Sequence, residues 1–225
     1  MTETGTHLFN YLDVYCERAG EAGFWAEPVN AITNLAFIIA ALLVARVLWQ
    51  RKISPAFDLW ALTIILFGIG VGSGLWHIYA THPTLLADVI PIALFLHLFL
   101  ISALRRLFHY SWVKTLAGWA GFVLATIAAE LYLPPDMLNG SVMYLPAFVV
   151  LLLLTLGLTR RRHPAARDFA VAAGVFLVSV TLRTVDMAIC DHFALGTHFL
   201  WHLLNAYLLW RLLMALVPGS TVSIK

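Results

Sequence analysis

The chain has 225 residues, of which 61% are hydrophobic and only 12% are charged. Soluble domains carry about 25% charged residues, so the composition excludes an ordinary soluble domain and indicates an integral membrane protein. The formal net charge is +2. The basic residues lie at the ends of apolar segments, so this charge reports membrane topology and excludes a nucleic-acid partner.

Seven segments are mostly apolar over about 20 residues, the length that an α-helix needs to cross a bilayer. The short connections between them favour antiparallel packing of neighbours in one bundle. We therefore predict an all-α, seven-transmembrane helix bundle at 29–216, preceded by an acidic segment at 1–28 and followed by a tail at 217–225. The spans are predicted at 29–49, 59–80, 87–107, 113–131, 141–159, 168–188 and 196–216.

The basic residues predict the orientation of the bundle. All but two of the 14 lysines and arginines fall on one side, the exceptions being Arg18 and Arg183. By the positive-inside rule that side is cytoplasmic, so the N-terminus is predicted outside and the C-terminus inside. No cleavable signal peptide is recognised, and the first span is expected to direct insertion. The cytoplasmic set is Arg46, Arg51, Lys52, Arg105, Arg106, Lys114, Arg160, Arg161, Arg162, Arg167, Arg211 and Lys225.

The N-terminal segment before the first span is acidic and has two interpretations. In one it is a solvated tail, as charge-rich segments usually are. In the other it folds back, and Asp13, Glu17 and Glu27 converge as an oxygen-rich site for a hard cation such as calcium. Their spacing does not decide between the two.

The outer ends of three spans carry polar residues that form one layer. Ser73 and His77 are four apart near the end of the second span, and Asp88 opens the third. His198 and His202, also four apart, begin the seventh span from the same side, so they share a helix face. Polar groups inside a membrane need partners. Three histidines at one depth predict a metal site.

The central spans add residues whose roles stay open. Glu130 and Tyr144 could reach the polar layer or could face the membrane interface. Arg183 and Asp186, three apart in the sixth span, either form an internal ion pair or orient a metal-bound histidine. His97 lies deeper, without polar neighbours in sequence, and is assigned a structural role.

The chain has two cysteines, Cys16 in the N-terminal segment and Cys190 in the last outer loop. Both lie on the side where disulfides persist, so we predict a bridge between them.

Together these residues make the chain resemble the alkaline ceramidase family, seven-span membrane hydrolases in the same larger group as the progestin and adipoQ receptors. The pattern is a serine four before a histidine, an aspartate eleven further on, and a late HxxxH pair. Nearly the whole chain is covered. The matching residues are Ser73, His77, Asp88, His198 and His202, with further similarity at Asp13, Cys16, Glu17, Glu27, Asn30, Asn34, Asp186 and Cys190.

The resemblance implies a zinc site at His77, His198 and His202, with a water in the fourth position. It implies that Asp88 activates or steers this water and that Ser73 holds the substrate carbonyl and stabilises the oxyanion. The expected reaction is hydrolysis of the amide bond of a ceramide-like lipid to a fatty acid and a sphingoid base. The site would face the extracytoplasmic leaflet, so that the substrate enters from the bilayer.

The resemblance also implies a calcium site at Asp13, Glu17 and Glu27. The chain departs from the family here, because Val14 or Tyr15 replaces a tryptophan and Ala19 stands about where an asparagine ligand is expected.

Two other classes of function remain open. One is a receptor-like or lytic membrane protein of the same larger group, in which the zinc is structural. The other is a bundle that binds haem between paired histidines. Two histidines on one helix face argue against haem, whose axial ligands come from opposing helices.

Overall fold

The computed structural model describes residues 11–21, 23–53 and 56–219. Lys225, and with it parts of the predicted N-terminal segment and tail, lie outside the described residues. The described residues form α-helices and short 3₁₀-helices and contain no strand. The α-helices are α1 (Pro28–Thr33), α2 (Leu35–Arg51), α3 (Phe57–Tyr79), α4 (His82–Arg106), α5 (Trp112–Tyr132), α6 (Leu145–Arg160), α7 (Ala166–Val185) and α8 (His198–Leu216).

Seven helical stretches are long and apolar enough to cross a membrane, because α1 and α2 run on as one stretch, Pro28–Arg51. The predicted all-α architecture with seven long apolar helices is confirmed. Large apolar side chains that the bundle leaves exposed, such as Ile39, Leu42, Ile64 and Leu153, suit a lipid environment. The orientation of the termini stays a prediction.

The third span begins earlier than its hydropathy indicates, at His82 rather than residue 87. Thr81 and Thr84 form a capping box, and a proline stands in the first turn of the helix. These residues start a helix by satisfying its first backbone N–H groups, although they are polar. Asp88 therefore lies in the second turn of α4 and not at its beginning.

The helices pack in a ring in which each contacts its neighbour in sequence and α8 closes against α2. The helix α3 also contacts α1 and α8, so it lies between the first and last spans. Gly72 makes its packing against α4 possible, because a Cβ atom at this position would collide with the backbone of Ala87.

The described part of the N-terminal segment lies across one end of the bundle. The backbone N–H of Leu12 donates to the carbonyl oxygen of Ala80 at 2.8 Å, and that of Trp25 donates to the carbonyl oxygen of Ile78 at 3.2 Å. These bonds attach the segment to the end of α3. The side chains of Tyr15 and Arg18 in this segment are buried. The interpretation as a solvated tail is therefore wrong for the described residues, and the segment folds back onto the bundle.

Candidate metal centre and active site

Three imidazoles meet at the end of the bundle that the N-terminal segment covers. His77 comes from the last turn of α3, and His198 and His202 come from the first two turns of α8. One nitrogen of each ring lies within 4.8 Å of one from each other ring, and all three side chains are buried. These are the only histidine, cysteine or carboxylate side chains that cluster in this way within the described ranges 11–21, 23–53 and 56–219.

The ring of His77 is oriented by Glu27, which stands just before α1. Nδ1 of His77 lies 2.5 Å from Oε2 of Glu27. A carboxylate can only accept a hydrogen bond, so Nδ1 carries the proton and Nε2 keeps a lone pair. The opposite oxygen of Glu27 accepts from Nε of Arg18 at 2.7 Å. Burial raises the pKa of the Glu27 carboxyl, while the hydrogen bond and charge of Arg18 lower it.

The ring of His202 is oriented by Thr33 in α1. The hydroxyl of Thr33 donates to the carbonyl of Val29 at 2.8 Å, so it accepts from Nδ1 of His202 at 2.9 Å. The proton of His202 is thereby placed on Nδ1, and its Nε2 also keeps a lone pair.

The two Nε2 atoms of His77 and His202 face each other at 3.1 Å. Neither holds a hydrogen to share, so this approach is repulsive unless a cation lies between the rings. Nitrogens bound to a tetrahedral zinc ion at about 2.0–2.1 Å lie about 3.3 Å apart. The arrangement therefore fits a metal ion. It does not fit haem between these histidines, because no porphyrin can be inserted in such a gap.

His198 completes the group and is covered by the N-terminal segment. Tyr15 stacks on its ring with a centroid separation of 3.7 Å, and burial raises the pKa of the Tyr15 phenol. Nδ1 of His198 is buried without a hydrogen-bond partner among the described residues. A metal ion would satisfy a nitrogen left in this state.

Ser73 and Asp88 lie beside the histidines, as predicted. The side chain of Ser73 lies near the carboxyl group of Asp88, and Oδ1 of Asp88 is buried with no partner in the part of the chain that the structure describes. Both residues line a cavity of about 20 Å³ together with His198 and His202. A cavity of this size holds a single water, so a water, a carboxylate and a hydroxyl can meet here.

A larger cavity of about 90 Å³ continues from this one into the bundle. Its walls are almost wholly apolar, and the two cavities share Phe37, Ile69, Ile92, Tyr144 and Trp201. Of the two residues left open in the central spans, Tyr144 lines the site, whereas the side chain of Glu130 is exposed and lines neither cavity. An apolar chamber beside a polar site suits a molecule with a polar head and a hydrocarbon chain.

The three carboxylates considered for calcium do not form a group that could hold a metal ion within the described residues. Glu17 accepts hydrogen bonds from the backbone N–H groups of Val29 and Asn30, at 2.7 and 2.8 Å, and so caps α1. Burial raises the pKa of Glu17, and these bonds lower it. Asp13 is exposed. The carboxylate of Glu27 is hydrogen-bonded to Arg18 and to His77.

Arg183 and Asp186 do not form the ion pair considered above. Arg183 donates to the backbone oxygen of Asn139 at 2.8 Å and to Ser141 at 3.0 Å. Asp186 accepts from the backbone N–H groups of Thr197 and His198 at 2.6 and 2.9 Å. Asp186 thus holds the beginning of α8 and positions the backbone, rather than the ring, of His198.

Cys16 and Cys190 are joined in a disulfide with their Cα atoms 5.3 Å apart. The backbone N–H of Cys16 also donates to Asp186 at 3.1 Å. These links fix the N-terminal segment at the residue next to Tyr15, and thereby hold the aromatic cover over His198. His97 accepts a hydrogen bond from Trp119 at 3.1 Å, in keeping with a structural role.

Sequence reasoning missed three residues of the site: Arg18, Thr33 and the role of Glu27 as the partner of His77. The signals were present but weak. Arg18 is the only basic residue among the acids of the N-terminal segment. Glu27 and Thr33 lie at the beginning of the first span, at the same end of the bundle as the histidines, and topology alone would have placed them within reach.

These features define an integral membrane protein with a buried three-histidine centre that fits a metal ion. The sequence profile of the Ceramidase family matches residues 15–217, which is most of the chain, so the chain belongs to the ceramidase family. The comparison with curated proteins gives no match. Ceramidases are hydrolases of a lipid amide, and the three-histidine centre lies within the matched region.

Proposed function

We propose that this protein is a zinc-dependent intramembrane hydrolase that cleaves the amide bond of ceramide-like lipids to a fatty acid and a sphingoid base. One observation carries the proposal. Three buried imidazoles converge beside a serine and an aspartate that line the same small cavity, and an apolar cavity lies next to it. Family membership supports the choice of a lipid amide as substrate.

His77, His198 and His202 would hold the zinc. Three neutral nitrogen ligands with an open fourth position are typical of catalytic sites, where the ion polarises a carbonyl and lowers the pKa of a water to about 7. The contribution of this chain is to fix the rings. Glu27 and Thr33 hold the protons of His77 and His202 on Nδ1, so that both Nε2 atoms point inward as ligands.

Asp88 is proposed as the general base. Its Oδ1 atom is free to accept a proton from the attacking water as the carbon–oxygen bond forms. Asp88 then returns this proton to the departing nitrogen as the carbon–nitrogen bond breaks. The carboxylate ends in its original state, and the products are a fatty acid and an amine.

Ser73 is proposed to have two partners in turn. Before substrate binds, its hydroxyl would position the neighbouring carboxyl group of Asp88. With substrate bound, the same hydroxyl donates to the carbonyl oxygen, where negative charge develops during attack.

The hydrocarbon of the substrate would occupy the apolar cavity, with the amide at the small polar one. We also propose that residues 1–28 and the site face the extracytoplasmic side, and that the tail at 217–225 is cytoplasmic. Cysteines introduced at Glu21 and at Arg162, which are exposed at opposite ends of the bundle, test this. A membrane-impermeant maleimide added to intact cells should label the first only, and the reverse pattern would contradict the orientation.

The decisive experiment adds purified protein to a mixed lipid extract and follows the products by mass spectrometry, with and without a zinc chelator. Release of fatty acid and sphingoid base that stops with chelation is expected. A protein that retains zinc yet releases no product would contradict the proposal and favour a receptor-like or lytic role with structural zinc. Release of fatty acid without a sphingoid base would indicate that the protein hydrolyses an ester and not an amide.

A further inference from the structure

Arg18 is surrounded by oxygen atoms. The residue is 1% exposed. Nε donates to the carboxylate of Glu27 at 2.7 Å, and Nη1 donates to the carbonyl oxygens of Glu21 and Gly23, both at 3.2 Å. Nη2 lies 3.4 Å from the carbonyl oxygen of His77, near the end of α3. A carboxylate and several peptide carbonyls are the ligands that a hard cation such as calcium prefers. Here the positive charge belongs to the chain itself.

Calcium does not fit the described residues of this segment. It needs about six to eight oxygen ligands at about 2.3–2.6 Å. Both oxygens of Glu27 already accept hydrogen bonds, from Arg18 and from His77. Both oxygens of Glu17 accept from the backbone at the beginning of α1. A divalent ion near Glu27 would also be repelled by the positive charge of the guanidinium group.

The position of Arg18 links the N-terminal segment to the metal centre. Arg18 and His77 bind opposite oxygens of one buried carboxylate. If the guanidinium were absent, Glu27 would keep its buried negative charge with only His77 and an amide to balance it. A buried carboxylate without its partner cation moves toward water. It would then hold Nδ1–H of His77 less firmly.

We propose that Arg18 is the built-in cation of the N-terminal segment: it stands in place of a calcium ion, positions Glu27 against His77, and makes the metal centre independent of calcium. The inference rests on the proposed zinc site at His77. It makes Arg18 a positioning residue, since it acts through Glu27 and contacts neither the metal nor the substrate.

The first test uses the unmodified protein in detergent. Its Tm and zinc content are compared in buffer freed of calcium, with zinc restored, and in buffer with excess calcium chloride. No difference in either quantity is expected. A calcium-dependent rise in Tm would overturn the proposal, since a ligand that binds the folded state raises its stability.

The second test measures zinc affinity by competition with a chromogenic chelator. Arg18→Gln, which removes the charge, should weaken zinc binding about 10–100-fold, the usual effect of losing a partner of a ligand. Arg18→Lys, which keeps the charge, should weaken it less. Arg161→Gln is the matched control, because Arg161 bonds to Phe108 and Tyr110 at the opposite end of the bundle.

A double variant separates positioning from general stability. If Arg18 acts through Glu27, then Arg18→Gln combined with Glu27→Gln should bind zinc as weakly as Glu27→Gln alone, because the two effects are not independent. An Arg18→Gln variant with a lowered Tm but unchanged zinc affinity would overturn the positioning role. Should Arg18→Gln fail to fold, Arg18→Lys and the calcium comparison decide the matter.

None of these measurements uses lipid hydrolysis. A protein that binds zinc but cleaves no ceramide would therefore contradict the proposed function and leave this inference intact. A protein whose Tm or zinc content depends on calcium would overturn this inference and leave the proposed function intact.

Discussion

His77 and His202 point their Nε2 atoms at each other across 3.1 Å, while the other nitrogen of each ring is held by a hydrogen bond. The two holding groups, Glu27 and Thr33, both come from the beginning of the first span. The candidate metal centre is thus formed by three helical stretches. The first span orients the imidazole rings, and α3 and α8 carry the three histidines.

Removal of one ligand should abolish metal binding. His202→Ala is expected to lose both bound zinc and lipid hydrolysis, because two imidazoles do not complete a catalytic zinc site. Zinc per protein is measured by elemental mass spectrometry on folded, monodisperse samples. His192→Ala, in an exposed loop, is the control and should keep both. A His202→Ala protein with full zinc content would contradict the ligand assignment.

The carboxylate of Glu27 should contribute to zinc affinity and not only to the stability of the fold. Glu27→Gln keeps the shape of the side chain but removes the charge that faces His77 and Arg18, so zinc affinity should fall about 10–100-fold. Glu21→Gln makes the same chemical change on an exposed side chain of the same segment. Equal zinc affinities in the two variants would show that Glu27 has no special role.

Asp88 should be needed for the reaction but not for the metal. Asp88→Asn is expected to retain zinc and to lower kcat about 10²–10⁴-fold, the usual contribution of a general base. Asp191→Asn, an exposed aspartate in the last outer loop, should leave kcat unchanged. Full activity in Asp88→Asn would remove this aspartate from the mechanism.

Ser73 should act on the transition state. Ser73→Ala is expected to keep zinc and to lose about 10²–10³ in kcat, as an oxyanion donor does. The split between kcat and KM is informative, since loss of a contact made only in the transition state lowers kcat and leaves KM nearly unchanged. A rise in KM alone would mean that Ser73 only binds the substrate.

The close packing of α3 against α4 should depend on Gly72. Gly72→Ala places a methyl group against the backbone of Ala87, so the helices must separate, at a cost of about 1–3 kcal/mol. A clear drop in Tm is expected. Gly174→Ala, in α7, meets nothing within 4 Å and should have little effect. Equal Tm values for the two variants would contradict the packing argument.

The sequence was sufficient for the architecture and for the meeting of the three histidines at one end of the bundle. A membrane helix must satisfy its backbone internally and must be about 20 residues long, so apolar runs identify the spans. Because successive spans cross the membrane in opposite directions, the end of one span and the beginning of the next lie on the same side. This is why His77, Asp88 and the pair in α8 could be grouped before any contact was known.

The helix boundaries and the N-terminal segment could not be predicted in this way. Hydropathy placed the beginning of α4 too late, because Thr81 and Thr84 start that helix with hydrogen bonds and not with apolar surface. The acidic segment resembled a solvated tail by composition. Its fold depends on contacts with distant partners, above all the bond of Cys16 to Cys190 and the packing of Tyr15 on His198.

The sequence alone thus determined which residues lie in the spans and at what depth, because local hydrophobicity places the spans. Which oxygen faces which nitrogen was decided only by the tertiary structure. Glu27 is an acid among several acids until the fold sets it between Arg18 and His77. The physical reason is that a hydrogen bond is made at about 3 Å and in a set direction, and only the packed helices position side chains from opposite ends of the chain so closely.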